Sequence, residues 1–186
     1  MQLERFVILD RDGVVNEDSD DYIKSAGEWV PIPGSLEAIA MLTRAGFRIA
    51  IASNQSGLSR GLFDLGALNR IHRKLRETAY LFGGRVEMIL FCPHAPQDQC
   101  FCRKPQPGLL SQIADRTGVI LRGLPFVGDS LADIQAARIV GMEPILVKTG
   151  KGTRTLAQGG AVLEGVAVFD DLKSVSKELI CRWSRS

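Results

Sequence analysis

Four apolar residues, Phe6 to Leu9, that run directly into Asp10-Arg11-Asp12-Gly13 constrain this chain more than any other stretch. An unbroken apolar run with β-branched members reads as a strand buried on both faces, the pattern of a central strand in a parallel sheet. Gly13 then turns the chain away. Two carboxylates two residues apart at the end of a buried strand repel each other, a cost that a cation or a shared proton relieves. Chemistry is therefore expected at Asp10 and Asp12.

The rest of the chain alternates strand and helix patterns. An acid-rich loop over residues 16–32, carrying Glu17, Asp18, Asp20, Asp21 and Glu28 with Tyr22 and Trp29 interleaved, is either substrate-facing or merely solvated. Ser35 reads as the N-cap of a helix stopped by Gly46, and residues 47–52 as the second strand. Asp64 can cap a helix whose Leu65, Leu68, Ile71, Leu75, Ala79 and Phe82 form a core stripe, ended by Gly83-Gly84. His72 beside that stripe reads as a surface or satisfied histidine, not a ligand. Further strands are expected at 86–91, 124–127, 144–148 and 166–169, the last two joined by a glycine-rich connection. Helices are expected from Pro107-Gly108 to near Gly118, over 134–140, and from 171 to about 182, where Cys181 reads as a small buried apolar residue.

This alternation implies right-handed crossovers and a parallel sheet covered on both faces. With 186 residues and 45% hydrophobic content, one core and a single domain over 1–186 are expected. Lys and Arg number 23 against 21 Asp and Glu, a net +2 that provides no global field for nucleic acid or an anionic membrane. No apolar run approaches the ~20 residues that span a bilayer, and no signal-like segment precedes the first charges, so a cytoplasmic protein is expected; it is expected to be a monomer.

The polar clusters at 10–12, 53–56 and 129–133 all follow strands and can converge on one sheet edge, where α/β folds bind ligands. Asp10, Asp12 and Asp129, with no histidine among them, suit a hard divalent cation held by oxygen, which points to Mg²⁺. Lys104, preceded by Arg103, can bring positive charge to a phosphate, and the Ser53 hydroxyl and nearby amides can add donors. Cys92, His94, Cys100 and Cys102 offer three thiolates and an imidazole, a full tetrahedral set for a structural Zn²⁺ in a loop over 92–102. A disulfide suits a reducing cytoplasm poorly.

Taken in order, Asp10-x-Asp12-Gly13, Ser53-Asn54, Lys104 and Gly128-Asp129-x3-Asp133 resemble the four motifs of haloacid dehalogenase (HAD) superfamily phosphatases. The resemblance implies a Rossmann-like three-layer domain with a mostly parallel sheet and no large cap. It implies Asp10 as the nucleophile that forms an aspartyl-phosphate, and Asp12 as general acid and then general base. Ser53 and Lys104 would hold the phosphoryl oxygens, and Mg²⁺ would sit on Asp10, the Asp12 main-chain carbonyl and Asp129, with Asp133 supporting from behind.

The finer resemblance is to the subfamily of histidinol-phosphate and heptose-bisphosphate phosphatases, carried by DRDGVVN, SNQSGLSRG, CPHAPQDQCFCRKPQPG and VGDSLADIQAA. It supports the zinc loop. Asn16 and the segment from Ser56 to Gly61 look like the heptose branch, whereas the short cysteine loop with Ala95 looks closer to the histidinol branch. The residues nearer the reacting phosphate carry more weight, so the resemblance implies removal of the 7-phosphate from a heptose 1,7-bisphosphate, a step toward lipopolysaccharide core precursors. Histidinol phosphate is the alternative substrate. With no lid, contacts to the small phosphorylated sugar would come from Asn54, Gln55, Ser56, Arg103, Asp18 and Tyr22. Two other classes compete: a receiver-like phosphoacceptor, in which hydrolysis is slow, and a zinc-stiffened interaction module, which leaves the convergent acids unexplained.

Overall fold

The first strand, β1 (Phe6–Leu9), lies inside a six-stranded sheet in a computed structural model that describes residues 4–184. After it come α1 (Ser35–Arg44), β2 (Arg48–Asn54), α2 (Leu65–Leu81), β3 (Met88–Cys92), α3 (Gly108–Thr117), β4 (Pro125–Gly128), α4 (Leu131–Ile139), β5 (Glu143–Val147), α5 (Gly152–Gln158), β6 (Ala167–Phe169) and α6 (Leu172–Ser184). The strand order is β3-β2-β1-β4-β5-β6, and every pairing is parallel. The chain winds outward from β1 to β3, then returns to lay β4 against the other side of β1. That reversal leaves a crevice at the carboxyl ends of β1 and β4, where open α/β sheets bind ligands.

Side chains alternate across a strand, so β1 feeds two cores. Val7 and Leu9 join Leu36, Ile39 and Leu42 of α1, Ile71 and Leu75 of α2, and Val175 and Leu179 of α6. Phe6 and Ile8 join Leu110 and Ile113 of α3 and Ala136 and Ala137 of α4 on the opposite face. Two helical layers thus enclose a fully buried central strand, at about 1.5–3 kcal/mol for each large aliphatic side chain removed from water. The result is a single three-layer α/β domain, with a sheet parallel throughout instead of mostly so.

Several boundaries depart from the sequence pattern. Ser35 is the first helical residue of α1, not its cap; Gly34 occupies the cap at φ +86°, and the Ser35 hydroxyl donates instead to the Val15 carbonyl at 2.6 Å. β2 continues two residues beyond its apolar run because Ser53 and Asn54 pair with Phe91 and Cys92 of β3, and a backbone ladder is indifferent to side-chain polarity. In α2 the core stripe is Leu68, Ile71, Leu75 and Ala79, with Asp64 capping the Ala67 amide as expected, while Leu65 and Phe82 at the two ends are exposed. The glycine-rich connection after β5 contains α5 and a 3₁₀ turn at Gly160–Leu163. Cys181 is exposed, not buried: the inward face of α6 runs through Leu172, Val175, Ser176 and Leu179 and leaves position 181 outside. Among the described residues no helix is long and apolar enough to cross a membrane.

Candidate active site

Asp10 and Asp129 leave the adjacent strands β1 and β4, and Asp133 reaches in from the first turn of α4, so that one carboxylate oxygen of each lies within 4.8 Å of the others. All three are buried. Burial pushes the Asp10 pKa up to about 7, and the Asp133 and Asp12 charges push the same way against the pull of Lys104. Asp129 is raised to about 8, first by burial and then by the charges of Asp10 and Asp133.

Lys104 answers part of that charge. Its ammonium donates to Asp10 Oδ1 and the Ala52 carbonyl, both at 2.8 Å, and pairs with Asp133 Oδ1 at 2.6 Å. Three acceptors match its three donors. Burial alone lowers a lysine pKa, but the Asp10 and Asp133 charges more than reverse that here, so Lys104 is held protonated. Three carboxylates against one ammonium leave unbalanced negative charge, and the donor set is oxygen only; the cluster fits a hard divalent cation.

The signs of these shifts set a pH dependence. A carboxyl whose folded pKa is raised contributes stability that is whole below its unfolded value of 3.8 and is lost as pH rises through about 7 for Asp10 and about 8 for Asp129. The metal-free protein is therefore expected to melt at a lower temperature at about pH 8 than at about pH 5, and added Mg²⁺ to raise the melting temperature more at the higher pH. Equal Mg²⁺ stabilisation at both pH values, measured by calorimetry, would count against these carboxylates as its site.

Asp12 is turned away from the cluster. Arg11 holds it through Nε to Oδ1 at 3.0 Å and Nη2 to Oδ2 at 2.9 Å, while Asn16 donates to Oδ1 at 2.8 Å and Gln55 to Oδ2 at 2.7 Å. Burial would raise its pKa, but the Arg11 charge and these hydrogen bonds outweigh burial and leave Asp12 more acidic than usual. The repulsion read from the sequence is thus relieved in two halves, by Arg11 at Asp12 and by Lys104 at Asp10.

A cavity of about 360 Å³ opens over these groups, lined also by Asp18, Asp20, Tyr22 and Arg103. Gln55 bridges Asp12 to Ser53, donating to the buried Ser53 hydroxyl at 2.8 Å. Ser56 is buried beside it. Asn54, expected to meet substrate, lines the cavity but commits both ends of its amide to the Lys104 main chain, each at 3.0 Å, and so holds Lys104 in place. Arg103 donates to the His94 carbonyl at 3.1 Å. Asp133 does more than support from behind, because it caps α4 through Ser130 while its other oxygen pairs with Lys104. The 16–32 loop divides: Trp29 and Asn16 are buried, and Asp18 faces the cavity.

The segment after β5 also belongs to the site, and nothing in the sequence reading placed it there. Lys151 donates its amide to Asp129 Oδ2 at 2.7 Å and pairs its ammonium with Asp18 at 2.8 Å. Thr155 donates to the Asp129 carbonyl at 2.8 Å, and Thr149 to the Gly13 carbonyl at 2.6 Å. Gly13 and Gly150, both at positive φ, meet at this point, where a β-carbon on either would run into Asp129 Oδ2. The signal is present in the sequence: Lys148 to Lys151 is a polar cluster directly after a strand, like those at 10–12, 53–56 and 129–133.

The cysteine loop closes on itself at the end of β3. Cys92 Sγ lies 3.5 Å from Cys100 Sγ and 3.2 Å from Cys102 Sγ, and His94 Nδ1 lies 3.3 Å from Cys102 Sγ. These separations approach the ~3.8 Å edge of a tetrahedron with Zn–S bonds of about 2.3 Å. Burial and its neighbours raise the Cys92 pKa; at Cys100 burial is overcome by hydrogen bonds from Cys102 and Cys92, which bring that thiol down to about 7. All four cysteines of the chain are free thiols, and the Cys/His cluster fits Zn²⁺.

A doubly enclosed parallel sheet with convergent acids, a buried lysine and a hydroxyl at its carboxyl edge is built as a phosphoric monoester hydrolase of the HAD class. A family model described as HAD-hydrolase-like matches residues 101–175. The chain is 55% identical over 174 residues to D-glycero-β-D-manno-heptose-1,7-bisphosphate 7-phosphatase of Pseudomonas aeruginosa, covering 94% of this chain and 97% of that protein. The crystal structure of D,D-heptose 1,7-bisphosphate phosphatase from Bordetella bronchiseptica, complexed with magnesium and phosphate, superposes with a TM-score of 0.92 at 52% identity, covering 95% of this chain and 98% of that one. The enzyme from Burkholderia thailandensis superposes at 0.74 and 43% identity, covering 94% and 97%. The chain belongs to the D-glycero-β-D-manno-heptose-1,7-bisphosphate 7-phosphatase family within the HAD hydrolases.

Proposed function

We propose that this protein removes the 7-phosphate of D-glycero-β-D-manno-heptose 1,7-bisphosphate. The observation that carries the reading is a relative of that name at 55% identity over nearly the full length of both chains, joined to a site in which Asp10 and Lys104 face one cavity. Asp10, Asp129 and the Asp12 main-chain carbonyl would hold a magnesium ion. Bound there, Mg²⁺ supplies positive charge that lets a carboxylate approach a phosphate dianion.

In the first step an Asp10 oxygen bonds to phosphorus as the bond to the sugar oxygen breaks, and Asp12 gives that leaving oxygen a proton. In the second, Asp12 takes a proton from water, the water oxygen bonds to phosphorus, and the bond to Asp10 breaks to release inorganic phosphate. The polar cradle that keeps Asp12 ionised suits its second role; the dianion's charge raises its pKa and favours the proton uptake needed for the first. Lys104 and the Ser53 hydroxyl steady the phosphoryl oxygens, and Asp133 and Asn54 hold Lys104. Asp18, Tyr22, Arg103, Gln55 and Ser56 meet the sugar and its far end. The residues of this scheme all lie on one domain, which suits a monomer, and reduced thiolates holding Zn²⁺ suit the reducing cytoplasm.

The test is phosphate release from the heptose bisphosphate, histidinol phosphate and simple sugar phosphates, each with and without Mg²⁺. Heptose bisphosphate is expected to lead in kcat/KM by about 10²-fold or more, with turnover lost on Mg²⁺ removal. A higher kcat/KM for histidinol phosphate would overturn the substrate assignment, and the absence of multiple turnover on every ester would favour a receiver-like role.

A further inference from the structure

Arg11 is 1% exposed and lies between two acids of the site, yet the acid it holds is its own neighbour in sequence. Adjacent side chains can pair in several rotamers, so the Arg11–Asp12 contact does not by itself define where the carboxylate points. The third contact is long-range. Arg11 Nη1 lies 3.3 Å from His72 Nε2, which is 61 residues away on α2. A guanidinium has donors and no acceptor, so His72 Nε2 must be the acceptor, and the ring is neutral with its proton on Nδ1. The electrostatics agree: burial, then the Arg11 charge, draws the His72 pKa down to about 3.

His72 occupies a place an aliphatic residue could fill. It is buried on the inward face of α2 beside Leu68, Ile71 and Leu75, and its ring tilts against Phe91 at a centroid distance of 5.8 Å. A polar ring at such a position loses solvation that leucine would not, so packing does not account for it. Its nitrogen is spent on Arg11, and Arg11 spends its remaining fork on Asp12.

We propose that His72 is a positioning residue for the reaction: as a neutral acceptor it fixes the Arg11 guanidinium, which in turn sets the plane and reach of the Asp12 carboxylate. The inference rests on the reading of Asp12 as the acid–base group. A proton-transfer group displaced by about 1 Å can lose on the order of 10²-fold in rate. The loss belongs to kcat, because neither His72 nor Arg11 is among the residues that line the cavity.

Four variants decide it, all assayed at saturating Mg²⁺ on the heptose bisphosphate: His72→Leu, which fills the volume without an acceptor; His72→Gln, whose amide oxygen can accept; Asp12→Asn; and His72→Leu in the Asp12→Asn background. His72→Leu is expected to lower kcat about 10-fold or more with KM within about twofold, and His72→Gln to recover most of the loss. In the Asp12→Asn background the leucine change is expected to cost little further, since the group it serves is already gone. The Arg11 Nε–H resonance, sharp when the guanidinium is held, is expected to persist in His72→Gln and to broaden in His72→Leu. Wild-type kcat in His72→Leu, equal losses in the Leu and Gln variants, a full additional loss in the double variant, or an unfolded His72→Leu would each overturn the proposal by making His72 neutral or merely structural. If Asp12→Asn alone retained turnover, the acid–base reading would fail instead, a result separable from all of these.

Discussion

Asp10→Asn is expected to reduce kcat by about 10⁴-fold or more with the fold retained. A neutral amide in that place cannot form the acyl phosphate, so no adjustment of the neighbours restores the step. The fold is expected to survive because the substitution removes one of three buried, mutually repelling carboxylates while the amide oxygen can still accept from Lys104, which loses one of its two anionic partners but no acceptor. Asp12→Asn is expected to differ in kind: a loss of about 10²- to 10⁴-fold, the range for general acid–base catalysis, with Asp10 still able to take the phosphoryl group, slowly because the leaving oxygen goes unprotonated, and to hold it because water is no longer activated. Mass spectrometry of the intact chain after mixing with substrate distinguishes the two. Phosphorylation of the Asp10→Asn variant, or turnover above about one per cent of wild type, would remove Asp10 from the nucleophile's place.

Loss of the cysteine–histidine cluster is expected to have the second largest effect, on stability and on KM together. Cys102→Ser removes one of the four ligands, and a chelator strong enough to strip Zn²⁺ leaves three thiols 3.2 to 3.5 Å apart with nothing to hold them. The loop is tied to the site: the Gln55 amide donates to the Cys92 carbonyl at 2.7 Å, and Arg103 to the His94 carbonyl at 3.1 Å. Structural zinc sites supply folding free energy directly, and a loss of about 3 kcal/mol would lower the melting temperature of a chain this size by about 6–12 °C. KM is expected to rise several-fold as Arg103 and Gln55 lose their anchors, while the Mg²⁺ requirement stays unchanged. A chelated protein that remains folded with unaltered KM would reduce the cluster to a bystander. Zinc content by elemental analysis before and after chelation ties the loss to the metal.

Much of this arrangement was legible along the chain because it is local. Phe6 to Leu9 announced a central parallel strand, since only a doubly covered position tolerates four apolar residues in a row. Polar clusters directly after strands marked Asp10, Asp12, Ser53, Asp129 and Asp133, and topology alone then carries such clusters to one edge. Cys92, His94, Cys100 and Cys102 lie within eleven residues, so their meeting needed little of the fold. Local pattern misled at Ser35 and Cys181, where the identity of the residue suggested a cap and a core position that the helices assign elsewhere.

What only the tertiary structure decided is which charge meets which. The sequence by itself determined that two acids follow β1 and need relief; it could not say that relief is divided, with Arg11 taking Asp12 and Lys104, 94 residues from Asp10, taking the other. Nor could it show that Lys151 and Thr155 clasp Asp129, that Asn16 and Gln55 turn inward onto Asp12, or that His72 answers Arg11 across 61 residues. The physical reason is that hydrophobic periodicity records which face of an element is buried, whereas a hydrogen bond or ion pair depends on distances between elements that are set only when both cores close around β1.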